Sequence, residues 1–138
     1  MKEIDKNSFR TVIIPIIFNP NKKQILISRK QGDIDLPKLT WCFPGGRIFH
    51  GEDIDAKLKL IVKENTGYNI KNLGAVFAKI YPENKKHLAI YFLCEIFSGK
   101  EKIGGEIKEL KWVSPEELEK HFTTSFHPRL KEYIINLK

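Results

Sequence analysis

The chain reads as short apolar runs separated by polar, glycine- and proline-marked breaks. FRTVIIPIIF, Phe9 to Phe18, is almost wholly apolar and rich in β-branched residues, which predicts a buried strand. Pro15 within it points to an edge position or a bulge. Asn19-Pro20-Asn21 marks a turn, and QILISR, Gln24 to Arg29, predicts a second strand, so the pair reads as a hairpin. Lys30 to Thr40 is an irregular loop with Gly32 and Pro37. Trp41 to Phe43 is short and extended, and Pro44-Gly45-Gly46 breaks it.

The pattern then changes period. Glu52 to Thr66 predicts a helix, with Glu52, Asp53 and Asp55 in its first turn, where negative charge suits the helix dipole, and Gly67 as C-terminal cap. Ile54, Leu58 and Ile61 form its apolar stripe. Leu73 to Tyr81 and His87 to Phe97 predict two strands around the turn Pro82 to Lys86. Gly99 to Gly105 is a charged loop, and Ile107 to Val113 a last strand. Ser114-Pro115-Glu116-Glu117 reads as a helix start capped by the serine, and His127-Pro128 opens a final helix to about Leu137. Strands mixed with three helices, without repeats or a linker, predict one α/β or α+β domain over residues 1–138.

Composition narrows the classes. No apolar run approaches about 18 residues, which argues against a membrane span. The opening MKEIDKNSFR lacks an apolar stretch of signal-peptide type, so a cytoplasmic protein is expected. Cys42 and Cys94 are the only cysteines, and free buried thiols are expected in preference to a disulfide. The formal charge of +7 favours anionic ligands. It comes almost entirely from scattered lysines rather than clustered arginines, so it does not argue for nucleic acid.

Spacing carries the chemistry. Gly46 is followed after five residues by Glu52; Glu64 lies twelve residues further on, and Gly67 closes the helix. With WCFPGG before it, ENTGY at its end and IKELKWVSPEEL near the C-terminus, this resembles the Nudix family, whose box is G-x(5)-E-x(7)-R-E-U-x-E-E-x-G-U, U being bulky and apolar. The resemblance extends over roughly residues 9 to 137. It implies a Nudix-type α/β/α sandwich, a mixed β-sheet flanked by helices. It also implies hydrolysis of a phosphoanhydride in a nucleoside diphosphate-linked or nucleoside triphosphate substrate, with Mg2+ or Mn2+ on clustered carboxylates. Many members are homodimers; the expected ligand is a nucleotide-derived small molecule, with no membrane partner.

The box departs from that pattern. Leu60, Ile61 and Asn65 stand where Arg, Glu and Glu are expected, so Glu64 is the sole carboxylate left on the helix patch formed by positions 61, 64 and 65. By resemblance, a weakly held ion is expected on Glu64, the Gly46 carbonyl and Glu52. Glu106, next to Gly104-Gly105, is a candidate ligand or base from outside the box, and His50 a candidate base ahead of the helix. Arg29 and Arg47 are placed to meet phosphates, as are the backbone amides at Gly45 and Gly46. Trp41, Phe43 and Tyr81 are candidates for stacking on a base, although packing in the core is the commoner role for such aromatics. Three functions stay open: a slow hydrolase with a reduced metal site, a catalytically inactive domain that binds a nucleotide or nucleotide-sugar, and a scaffold that kept only the fold.

Overall fold

The computed structural model describes residues 9–30, 41–82, 84–122 and 126–137. The expected loop Lys30 to Thr40 lies, beyond its first residue, outside them.

The apolar run forms β1 (Arg10–Asn19), and β2 (Gln24–Lys30) follows across a turn in which the Asn19 side-chain oxygen accepts from the amides of Asn21 and Lys22. These strands pair only at Phe18–Ile25 and Asn19–Gln24 before diverging. From there β2 runs against β3 (Trp41–Cys42) and β7 (Ile107–Val113), while β1 runs parallel to β6 (Asn84–Gly99) and antiparallel to β4 (Gly46–Ile48). β5 (Tyr68–Tyr81) forms a long hairpin with β6. The seven-stranded mixed sheet has the order β3-β2-β1-β6-β5, with β4 joined to β1 and β7 to β2.

β1 is therefore internal, which corrects the edge expected from Pro15. Its side away from β6 changes partner between Ile13, in the β4 ladder, and Phe18, in the β2 ladder. Pro15 sits in that gap, where a missing N–H interrupts neither ladder. β4 was not anticipated, because Gly-Gly reads as a break in isolation. The β5–β6 hairpin is longer than the predicted 73–81 and 87–97. Polar residues such as Lys71 and Asn72 mask the alternation on β5, and Gly74, at φ 115°, sits where the ladder shifts register.

Side-chain alternation along the strands feeds two cores. Ile14, Ile16 and Phe18 join Ile25, Ile27, Phe43 and Tyr91 with Leu118, Leu130 and Ile134. Ile13 and Ile17 join Leu26, Phe92 and Cys94 with Leu58, Ile61 and Val62. The second core seats α1 (Ile54–Thr66) on one face. The first seats the 3-10 helix Pro115–Glu117, α2 (Leu118–His121) and α3 (Pro128–Ile135) on the other. The architecture is the expected α/β/α sandwich. No helix among the described residues is long and apolar enough to cross a membrane.

One helix start and one cap need correction. α1 begins at Ile54, with Asp53 as N-cap accepting from the Ala56 amide at 2.9 Å, so Glu52 belongs to the preceding turn. Ile54 is exposed because the first turn stands clear of the sheet, and the buried stripe starts at Leu58. Ser114 makes no side-chain cap bond, whereas His127 caps α3 through Nδ1, accepting from the Arg129 amide.

Candidate active site

The turn at Pro44-Gly45-Gly46 is pressed between β1 and α1. A Cβ on Gly45 would lie 2.7 Å from the Ile13 carbonyl oxygen, and one on Gly46 3.1 Å from the Ile61 side chain. At Gly45 a Cβ would strike backbone, so only glycine fits without a shift; at Gly46 the Ile61 side chain would have to give way slightly. The Gly45 amide donates to the Phe43 carbonyl at 2.8 Å, so it does not face an anion as expected. Phe43 is buried and packs edge-to-face with Tyr91 and Phe122, which corrects its reading as a base-stacking residue. Trp41 is half-buried, edge-on to His121 and 6.0 Å from the Lys111 ammonium.

Beyond β4 the chain folds over Glu52. Its Oε1 accepts from the Phe49 amide at 2.7 Å and its Oε2 pairs with Lys57 at 3.1 Å. The Phe49 N–H, then Lys57, hold the carboxyl below the usual glutamate range. Both oxygens are thus engaged in closing the turn ahead of α1. Arg47 is exposed, its guanidinium 4.5 Å from the centre of the Phe49 ring. His50 is exposed in the same turn. Arg29 pairs with Glu109 across the β2–β7 ladder at 3.2 Å, and Tyr81, at the end of the β5–β6 ladder, packs near His87 and Lys79.

The far end of α1 is locked to the 100–106 loop. The Lys102 amide donates to the Thr66 carbonyl at 2.8 Å. A Cβ on Gly67 would collide with the Lys100 carbonyl oxygen, and one on Gly104 with that of Glu64. Glu101 Oε1 accepts from the Tyr68 hydroxyl at 3.2 Å and from the Trp112 indole N–H at 3.0 Å. Asn65 lies between the two loops, its amide 3.5 Å from the Pro44 carbonyl and its Oδ1 beside Gly105.

Glu64 is exposed and takes no ion pair or side-chain hydrogen bond among the described residues. It lines an open groove of about 500 Å³ with Lys63, Lys100, Lys102, Ile103 and the glycines at 67 and 104. Glu106 is exposed just beyond Gly105. Among the described residues no three His, Cys, Asp or Glu side chains converge so as to hold a metal. The donors therefore do not fit a cluster of two or three ions. The free Glu64 carboxylate, an all-oxygen donor, fits one loosely held ion of magnesium type.

Sequence reasoning missed the lysines of this groove and the Glu101 clamp. Their only signal was the alternation Lys-Glu-Lys at 100–102 between glycines, which reads locally as a solvated loop. Both cysteines are free; Cys42 is only half-buried, whereas burial and then the nearby Asp55 charge push the Cys94 thiol to about 12.

Residues 8–134 match the family model of the NUDIX domain. A provisionally named 8-oxo-dGTP diphosphatase of Bacillus subtilis (strain 168) is 32% identical over 106 residues, 75% of this chain and 65% of that one. The mRNA-decapping enzyme subunit 2 of Saccharomyces cerevisiae (strain YJM789) is 29% identical over 126 residues, 87% of this chain and 12% of that one. The chain thus spans less than two thirds of the length of either relative. The crystal structure of a MutT protein from Methanosarcina mazei Go1 superposes with a TM-score of 0.77 at 21% identity, covering 95% of this chain and 96% of that one. At that identity the superposition speaks to the fold alone.

Proposed function

The chain belongs to the Nudix family, and from that premise we propose that it slowly hydrolyses a phosphoanhydride in a nucleoside diphosphate-linked or nucleoside triphosphate substrate. The observation that carries this reading is the free, exposed Glu64 carboxylate at the end of a helix against which the glycine turn is packed. The names of the similar proteins, a diphosphatase of 8-oxo-dGTP and a decapping enzyme, support phosphoanhydrides as the bond class.

Nudix hydrolases generally use divalent metal ions. Here Glu64, with the Gly46 carbonyl and Glu106 as further oxygen donors, is the candidate holder of one Mg2+ or Mn2+. Such an ion supplies positive charge to the phosphates and lowers the pKa of bound water. The chain's own part is to hold Glu64 in place, through Gly67, Gly104 and the Lys102 amide, and to offer the exposed Arg47 to an anionic substrate. His50, exposed in the turn ahead of α1, and Glu106, exposed after Gly105, are candidates for proton transfer.

A second reading, a domain that binds a nucleotide or nucleotide-sugar without turnover, is favoured by Ile61, 7% exposed against Gly46 where the box expects a carboxylate. The deciding assay offers nucleoside triphosphates, nucleotide sugars, ADP-ribose and dinucleoside polyphosphates with Mg2+ or Mn2+. Metal-dependent turnover is expected, falling about a hundredfold in Glu64→Gln, the order of loss when one electrostatic group leaves a reacting centre. Turnover indifferent to Glu64 refutes the hydrolase as drawn. Ligand-induced thermal shifts without turnover select the binding domain.

A further inference from the structure

The groove beside Glu64 is rich in unneutralised positive charge. Lys63, Lys100 and Lys102 line it, and none of them is in an ion pair among the described residues. Lys63 donates to the Gly67 carbonyl at 3.0 Å, which neutralises no charge. Among the described residues the only carboxylate in the lining is that of Glu64. Glu101, between the two loop lysines, is turned to Tyr68 and Trp112 and is not part of the lining.

The groove's backbone is also held in place. The Lys102 amide bond to Thr66, the close approach of Gly67 to Lys100 and that of Gly104 to Glu64 bind the loop to the helix end. Three lysines lining one concave surface, with no ion pair among the described residues, give it a positive potential, and an anion bound there lowers their mutual repulsion. The volume of about 500 Å³ is in the range of small-ligand sites.

We propose that this groove binds an oligophosphate chain directly on the ammonium groups of Lys63, Lys100 and Lys102, without a bridging metal ion. The inference rests on the phosphoanhydride reading above, because Glu64 is common to both. Where the family's box holds counter-charge as metal ions on carboxylates, this helix has Ile61 and Asn65 at two of those positions, and the lysines supply positive charge instead. Ground-state binding then needs no metal, and an ion at Glu64 serves turnover alone.

Isothermal titration of the whole chain with pyrophosphate and tripolyphosphate, in excess chelator and at two ionic strengths, tests this. Binding is expected in chelator and weakens with salt, as ammonium–phosphate contacts do. Lys100→Gln/Lys102→Gln should lower the affinity at least tenfold. Glu64→Gln should raise it or leave it unchanged, since a repelling charge is removed. Lys22→Gln/Lys23→Gln makes the same change in net charge outside the groove and should have little effect. Competition by a nucleoside triphosphate identifies the bound phosphates as the substrate's tail; its absence identifies a free oligophosphate, and either supports the groove.

Three results overturn the proposal: no binding in chelator, binding that needs Mg2+ and is lost in Glu64→Gln, or equal losses in the two lysine pairs. None depends on turnover, so failure of the hydrolase reading is seen separately in the substrate panel.

Discussion

Both oxygens of the Glu52 carboxylate are occupied, one by the Phe49 amide and one by the Lys57 ammonium. These contacts exist only in the folded chain and favour the ionised form, so the folded pKa lies below the unfolded one. Their contribution is therefore present above the ordinary glutamate pKa and is lost as pH falls through the depressed folded value. A titration of the Phe49 amide resonance should show a midpoint below the ordinary glutamate range, and Glu52→Gln should remove that step. A midpoint at or above the ordinary value would mean that the turn is not closed this way. The spacing from Gly46 to Glu52 was visible in the chain. That the carboxylate closes a turn was not, because its partner amide is brought to it by the backbone fold at Gly51, φ 87°. Phe43 teaches the same lesson, since an aromatic beside Pro-Gly-Gly reads alike whether its ring is exposed or packed on Tyr91.

At the scale of elements, α1 was legible because its signals are local: an acidic start, a 3.6-residue apolar period and a glycine stop. Gly67 carries more than the stop. It holds φ 82°, and a Cβ there would strike the Lys100 carbonyl oxygen. Left-handed backbone alone costs a non-glycine residue about 1–2 kcal/mol, and the collision adds to it. Gly67→Ala is expected to lower stability by about 2 kcal/mol or more in urea melts, and to weaken tripolyphosphate binding by displacing the loop. A near-neutral effect would show that the loop does not press on the helix end. β7 was legible to the residue, as Gly104-Gly105 precedes it and Ser114-Pro115 ends it. β4 was not, since it is three residues long and owes its pairing to β1, already placed by β6.

For the whole molecule, the consequential contact is that of Ile61 with Gly46 across the seam between α1 and the sheet. Ile61 belongs to the same core as Ile13, Leu58 and Val62. Ile61→Glu/Asn65→Glu puts carboxylates at the two positions where the Nudix pattern has them but places one of them at a buried position. Its stability in chelator should fall by about 2 kcal/mol or more, from a lost apolar contact and an unpaired charge. Mn2+ should raise its melting temperature more than that of the unaltered chain, because an ion bound only by the folded state stabilises it. Equal melting in chelator would contradict the burial of Ile61.

The chain by itself determined which groups the box can offer. Leu60, Ile61 and Asn65 leave Glu64 as the sole carboxylate of the helix patch, and the helical period places those positions together wherever the helix docks. The tertiary structure decided what surrounds that carboxylate. Lys63 and the lysines at 100 and 102 meet only because the 100–106 loop is fastened to the end of α1 through Thr66 and the glycines. Helix periodicity is a property of neighbours along the chain and can be read there. A groove between distant segments depends on how close two backbones are allowed to pass, which packing alone determines.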